Sequence, residues 1–151
     1  NPALAPYDLV AVQPQTEAAF QFACQQLDVD LITLDLSQRL PFYLKAPTLN
    51  AAVVRGVAFE ITYAPALRDL AARRHFIHQA RSLLRLTHGR HVVLSSAALT
   101  ALECRAPVDV ANLARVLFGL PLDTARQTLD AAARSVVCRA ASRRRVTKGV
   151  F

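Results

Sequence analysis

The pattern of apolar and polar residues alternates between two periods along the chain. Short runs rich in Val, Ile and Leu are typical of buried strands, and longer segments repeat apolar residues every three to four positions, as on one helix face. The runs predict five strands, over residues 8–13, 31–35, 57–61, 91–95 and 135–138. The longer segments predict five helices, over residues 16–27, 48–56, 65–89, 107–118 and 122–133.

Alternation of strands and helices predicts parallel strands in one sheet, because each helix returns the chain to the same end of that sheet. Five such strands fit an open α/β sheet. They fit equally well the second part of an eight-stranded barrel, and the periodicity does not distinguish these two folds.

The composition indicates a packed domain with a basic surface. The chain has 151 residues, of which 53% are apolar and 19% charged, as expected of one globular domain. The net charge of +7 favours nucleic acid or an anionic membrane as a partner, although a basic protein without either partner fits it too. No apolar run is long enough to cross a bilayer, and the first residues lack a signal-peptide pattern. The three cysteines lack metal-binding spacing and predict reduced thiols.

Basic residues are the candidates for ligand binding. Arg39 and Lys45 bracket the aromatic pair Phe42 and Tyr43, and arginine beside exposed aromatics suits RNA through phosphate contacts and base stacking. Phe42 suits a core position equally well. We predict that RNA contacts ten residues: Arg39, Lys45, Arg68, Arg73, Arg74, Arg105, Arg143, Arg144, Arg145 and Lys148.

Two carboxylates lie where parallel folds place working residues, at the carboxyl ends of strands. Asp35 and Glu60 are a candidate pair for metal binding or acid-base chemistry. The alternative, which we favour, is that hydrogen bonds satisfy them inside a barrel, because hydrolytic metal sites generally add histidine ligands. The histidines lie elsewhere, on the long predicted helix or around its end: His75, His78, His88 and His91. We therefore predict no catalytic and no metal-binding residue.

Seven blocks along the chain resemble one known family in order and spacing. They occupy residues 8–12, 27–31, 39–43, 55–60, 63–66, 73–74 and 109–113. The segment from Ser95 to Leu113, in which a strand leads through a charged loop into a helix, resembles the same family. This family is the 30-kilodalton protein subunit of nuclear ribonuclease P and of its sister particle, ribonuclease MRP.

The resemblance implies a (β/α) TIM-like barrel of the phosphoesterase and amidohydrolase type that serves as a scaffold. In such a subunit several strands precede residue 8, so we expect a C-terminal partial barrel of about five parallel strands. Residues 1–138 would form this domain, and residues 139–151 a basic C-terminal tail. Open sheet edges would make the isolated chain weakly folded or prone to associate.

The resemblance also implies a non-catalytic, RNA-binding subunit. The particle removes the 5′ leader of precursor tRNA, its sister particle processes precursor rRNA, and the RNA with its magnesium ions performs the cleavage. The chain itself would bind no cofactor. Its partners would be the RNA of the particle, precursor tRNA through the complex, and a small ferredoxin-fold subunit, in the nucleus and nucleolus and away from membranes.

Three segments depart from the family pattern. Residues 99–101 stand where Glu-Arg-Pro is expected, residues 106–109 where Gly-Pro-Tyr-Asp is expected, and residues 139–144 where His-Gly-Glu-Thr-Arg-Lys is expected. A rival hypothesis is a metal-dependent barrel hydrolase or phosphoesterase that uses Asp35 and Glu60. A third is a fragment without function.

Overall fold

The computed structural model describes Leu4 and residues 6–147, with the backbone alone for residues 145–147. Helices and strands alternate over most of this length. In chain order the elements are β1 (Ala11–Val12), α1 (Glu17–Gln25), β2 (Leu31–Leu34), α2 (Ala46–Val54), β3 (Ala58–Thr62), α3 (Ala64–Arg68), α4 (Leu70–Thr87), β4 (Val92–Ser95), a 3-10 turn (Ala101–Glu103), α5 (Pro107–Phe118), α6 (Leu122–Leu129) and α7 (Ala131–Thr147).

The sheet in the described part of the chain has four parallel strands in the order β1, β2, β3, β4. Strands that follow one another in a single direction, with right-handed crossovers, place all their helices on one face. Helices α1, α2, α4, α5 and α6 accordingly contact one another in series. The fold is therefore α/β, and its one-directional strand order is consistent with part of a TIM-like barrel. In a doubly wound open sheet the strand order reverses.

The two faces of the sheet differ in burial. Ile32 and Phe59 lie on the face toward the helices and are buried. Thr33, Glu60 and Val93 are neighbours across β2, β3 and β4 on the opposite face, and all three are only partly buried. This alternation follows from the two-residue period of strands, and it leaves the second face partly open.

Aromatic side chains fill the core between the sheet and the helices. Phe20 of α1 stacks on Phe42 with ring centroids 4.8 Å apart, and Phe76 of α4 meets Phe118 of α5 edge to face at 5.5 Å. Cys24 is buried beside them as a free thiol. Burial raises the pKa of the Cys24 thiol to about 12, which keeps it protonated and unreactive.

The predicted fifth strand is wrong, because residues 135–138 lie within α7. A short run such as Ser-Val-Val-Cys does not by itself separate a strand from a buried helix segment. Packing against the rest of the protein favours a helix here, because Val136 and Ala140 are four residues apart and are both buried on one side of α7. The boundary that we placed between residues 138 and 139 falls inside this helix.

The predicted helix over residues 65–89 is two helices, α3 and α4. Asp69 separates them with an extended backbone, at φ −131° and ψ 136°. Its side chain accepts a 2.6 Å hydrogen bond from the Ala72 amide and so caps α4. The helix predicted from residue 48 begins earlier, at Ala46, because Pro47 fits the first turn.

Candidate nucleic-acid interface

Four predicted contact residues follow the carboxyl ends of the strands. Arg39 and Lys45 lie between β2 and α2, Arg68 lies at the end of α3 after β3, and Arg105 lies in the loop after β4. Because parallel strands all end at the same edge of a sheet, the fold brings these loops to one side of the molecule.

The aromatic pair between Arg39 and Lys45 divides between core and surface. Phe42 is 6% exposed and stacks on Phe20, so it belongs to the core. Tyr43 is 78% exposed, and Arg39, four residues earlier, is exposed too. Of the two rings, only Tyr43 is accessible for base stacking.

Gln79 of α4 fixes the loop that carries Arg39. Its side-chain oxygen accepts a 3.1 Å hydrogen bond from the Leu40 amide, and its nitrogen donates to the Leu36 carbonyl at 3.3 Å and to the Gln38 carbonyl at 2.5 Å. The residues on both sides of Arg39 are thus tied to a helix.

Lys45 forms an exposed ion pair with Glu17 at the start of α1, with an Nζ to Oε1 distance of 2.8 Å. The hydrogen bond and the charge of Lys45 hold the pKa of Glu17 below its ordinary value. Exposed pairs of this kind contribute little to stability, because water screens both charges. Lys45 is therefore able to exchange this partner for a phosphate.

The loop after β4 is attached to α3 and to Tyr63, which joins β3 to α3. Glu103 accepts a 2.8 Å hydrogen bond from the Leu99 amide and faces Arg68 at 3.6 Å. The Arg105 amide donates to the Tyr63 hydroxyl at 3.0 Å. The Arg105 side chain remains exposed, whereas Arg68 has a carboxylate within reach.

The two candidate carboxylates are each engaged locally. Glu60 accepts a 2.5 Å hydrogen bond from the Thr33 hydroxyl across the strands, and Asp35 accepts bonds from the Ser37 amide and hydroxyl at 3.0 and 2.5 Å. Among the described residues, no group of three or more His, Cys, Asp or Glu side chains is placed to hold a metal ion. This geometry fits hydrogen-bonded polar residues at the end of a sheet.

Two arginines of α7, Arg139 and Arg143, lie at the opposite, amino end of the strands. Asp30, which precedes β2, is fully buried and accepts a 2.9 Å hydrogen bond from the Val10 amide. Arg143 donates to both of its oxygens, at 3.2 and 2.8 Å. Arg139 donates to the Asp30 carboxylate at 3.3 Å and to the Val29 carbonyl at 2.8 Å. We call this group the α7 clamp.

The predicted arginine cluster at the C-terminus is thus divided. Arg143 belongs to the α7 clamp, and Arg144 forms an ion pair with Asp8. The Arg145 side chain and the whole of Lys148 lie outside the described residues. RNA binding by these four residues stays a prediction, but Arg143 also has a structural partner that the sequence pattern did not reveal.

Helix α4 contains four arginines and no acidic residue over Leu70–Thr87. Arg73 donates through Nε to the Ala66 carbonyl at 2.9 Å, and Arg74 lines a surface groove of about 1020 Å³. Arg81 and Arg85 line the same groove, which we call the α4 groove. The sequence analysis missed both, although their helical spacing from Arg74 was a readable signal.

Comparison with known proteins identifies the family. The family model of RNase P subunit p30 matches residues 1–145. The chain is 46% identical over 130 residues to ribonuclease P protein subunit p30 of Mus musculus, which is 86% of this chain and 48% of that protein. It is 40% identical over 145 residues to probable ribonuclease P protein subunit 3 of Schizosaccharomyces pombe, which is 96% of this chain and 61% of that protein.

A third relative is the ribonuclease P/MRP protein subunit RPP1 of Saccharomyces cerevisiae, 41% identical over 117 residues, or 78% of this chain and 40% of that protein. The chain thus spans about half the length of these curated relatives. Within its described residues, no helix combines the length and apolar character that crossing a membrane requires. The match over nearly its whole length shows that the chain belongs to the RNase P subunit p30 family.

Proposed function

We propose that the chain is a non-catalytic, RNA-binding protein subunit of ribonuclease P and ribonuclease MRP. In these roles it takes part in removal of the 5′ leader from precursor tRNA and in processing of precursor rRNA. The observation that carries this proposal is the family match over residues 1–145, together with relatives whose names place them in these particles. The net charge of +7 fits an RNA partner.

In this proposal the RNA and its magnesium ions perform the cleavage, and the protein neutralises phosphates and fixes RNA shape. Arg39, Arg74 and Arg105 are exposed and suited to phosphate contact. The further partners are precursor tRNA, reached through the complex, and a small ferredoxin-fold subunit of the particle. The place of action is the nucleus and nucleolus.

For the fold, we propose that the four strands are one part of a TIM-like barrel. The edge strands are β1 and β4, and the face that carries Thr33 and Glu60 is partly open. Further strands beside these edges would close the sheet and turn this face into a barrel interior. Barrel interiors accept polar residues that are paired with each other, as these two are.

No observation favours the rival hydrolase. A hydrolytic metal site needs several convergent ligands with an open position, whereas Asp35 and Glu60 are bonded to Ser37 and Thr33. The histidines do not join them: His75 and His78 lie on α4, and His88 lies at its end.

Affinity purification from cells that carry a tagged chain tests the proposal. We expect ribonuclease P and MRP RNAs to be enriched, and the eluate to remove the 5′ leader from precursor tRNA. Micrococcal nuclease treatment, followed by chelation of its calcium, should abolish that activity because the catalyst is RNA. A tagged unrelated protein of similar net charge is the control. Absence of both RNAs, or cleavage that survives nuclease treatment, would contradict the proposal.

A further inference from the structure

One side of α4 carries a row of basic residues. Arg74, His78, Arg81, Arg85 and His88 follow one another at steps of three or four, which places them along one face of the helix. All five are exposed, and all five line the α4 groove. At a rise of 1.5 Å per residue, the row from Arg74 to Arg85 is about 16 Å long.

The other wall of the groove consists of the end of α5, the connection to α6 and the first turn of α6, and it includes Phe118, Leu120 and Thr124. Two contacts hold this wall against α4. The Phe76 and Phe118 rings meet across the two helices, and the Thr124 methyl lies 2.8 Å from where a Cβ on Gly89 would stand. The groove is therefore a fixed feature of the packing between these helices.

The arginines of this row have no side-chain partner within the described part of the chain. Unlike Arg73, Arg139 or Arg143, the side chains of Arg74, Arg81 and Arg85 make no hydrogen bond or ion pair with any described residue. The groove lining contains no carboxylate among the described residues. Arg74 also lies in the second turn of α4, toward the positive end of the helix dipole, where a cation does not stabilise a helix.

We propose that the α4 groove binds the sugar-phosphate backbone of RNA, with Arg74, Arg81 and Arg85 contacting separate phosphates along one strand. This inference rests on the proposed function and adds a site to it. A row of about 16 Å is long enough for three guanidinium groups to reach separate phosphates of one RNA strand. The apolar residues Ile77 and Leu120 offer contact surface for ribose, whereas the guanidinium groups supply the charge.

The salt dependence of RNA binding tests the site. The three-residue variant Arg74→Gln/Arg81→Gln/Arg85→Gln keeps good helix formers while removing three charges. The matched control is Arg115→Gln/Arg126→Gln/Arg134→Gln, which removes three exposed arginines outside the groove. Binding of the 151-residue chain to a precursor tRNA transcript is measured from low to moderate salt, after thermal melting shows that both variants are folded.

We expect the groove variant to lower the slope of log K against log[salt] by about 2 to 3, since each lost phosphate contact removes about 0.7 to 0.9. The control should keep the slope of the original chain. Equal slopes in the groove variant and the original chain would overturn the site. So would an unchanged RNA slope combined with lost binding to other protein subunits, which would make the groove a protein-docking surface. If the original chain binds no RNA, the proposed function fails first.

Discussion

The α7 clamp and the α4 groove contain the same type of residue in opposite settings. In the clamp, Arg139 and Arg143 meet the fully buried carboxylate of Asp30. In the groove, Arg74, Arg81 and Arg85 face solvent and no described carboxylate. A buried carboxylate must be paired, so it recruits arginines into the fold. Arginines that the fold does not use remain available for a polyanion.

The comparison shows why the density of positive charge along a sequence is a weak guide to a binding surface. The run from Arg143 to Arg145 is the densest in the chain, yet Arg143 closes an internal contact across 113 residues. The groove arginines are spread over three turns of α4 and become a row only in the helix.

The largest effect is expected from removing the clamp's carboxylate. Asp30→Asn leaves two guanidinium groups beside a neutral amide, and breaking a buried pair from one side generally costs about 3–5 kcal/mol. Both arginines are partly exposed, so we expect a loss near 3 kcal/mol in the free energy of unfolding. Urea denaturation measures it. Asp130→Asn, at an exposed pair with Arg134, is the control and should leave the midpoint unchanged.

A smaller loss of stability is expected when the guanidinium group is replaced but its positive charge is kept. Arg143→Lys keeps the charge but loses the fork that reaches both Asp30 oxygens, so we expect a loss of about 1–2 kcal/mol. Arg81→Lys should leave the free energy of unfolding unchanged, because Arg81 makes no side-chain bond among the described residues. Equal unfolding midpoints for the two variants would remove the distinction between clamp and groove arginines.

The smallest difference in stability is expected between alanine substitutions at two glycines that have similar backbone angles. Gly56 and Gly119 have φ of +78° and +74°, so an alanine costs about 1 kcal/mol at either site, because its Cβ crowds the following carbonyl oxygen in the left-handed conformation. A Cβ at Gly56 would lie 3.2 Å from Arg139 Nε, whereas at Gly119 nothing lies within 4 Å. Gly56→Ala should therefore lower the melting temperature further than Gly119→Ala. The reverse order would show that Arg139 is not held in the clamp.

Local patterns were sufficient to predict much of the fold. The predicted strands over residues 31–35, 57–61 and 91–95 correspond to β2, β3 and β4, and the helix over 107–118 has the observed bounds of α5. Each combines an apolar run or stripe with a clear boundary residue, such as Pro107. The break before α4 was also readable, since Asp69 is a strong N-cap residue.

The failed prediction of a strand over residues 135–138 has a different cause, because it depends on contacts between distant residues. Residues 135–138 form a helix because Val136, Arg139, Ala140 and Arg143 face Asp30 and the core together, and Asp30 is more than 100 residues away in the sequence. Because Asp30 is 113 residues from Arg143 in the sequence, the local pattern did not predict the structural role of Arg143. Positions 136, 140 and 143 do have helical spacing, so the sequence held a signal for the helix but none for its partner.

Ultraviolet crosslinking of the 151-residue chain to precursor tRNA, followed by mass spectrometry of the peptides, tests the central claim most directly. The account places RNA along the α4 groove as well as at Arg39 and Arg105, so crosslinks should appear in residues 74–88 and 118–124 beside those in the loops after β2 and β4. Few should map to residues 135–143, where Arg139 and Arg143 are engaged with Asp30. Crosslinks confined to α7, with none in the α4 groove, would contradict it.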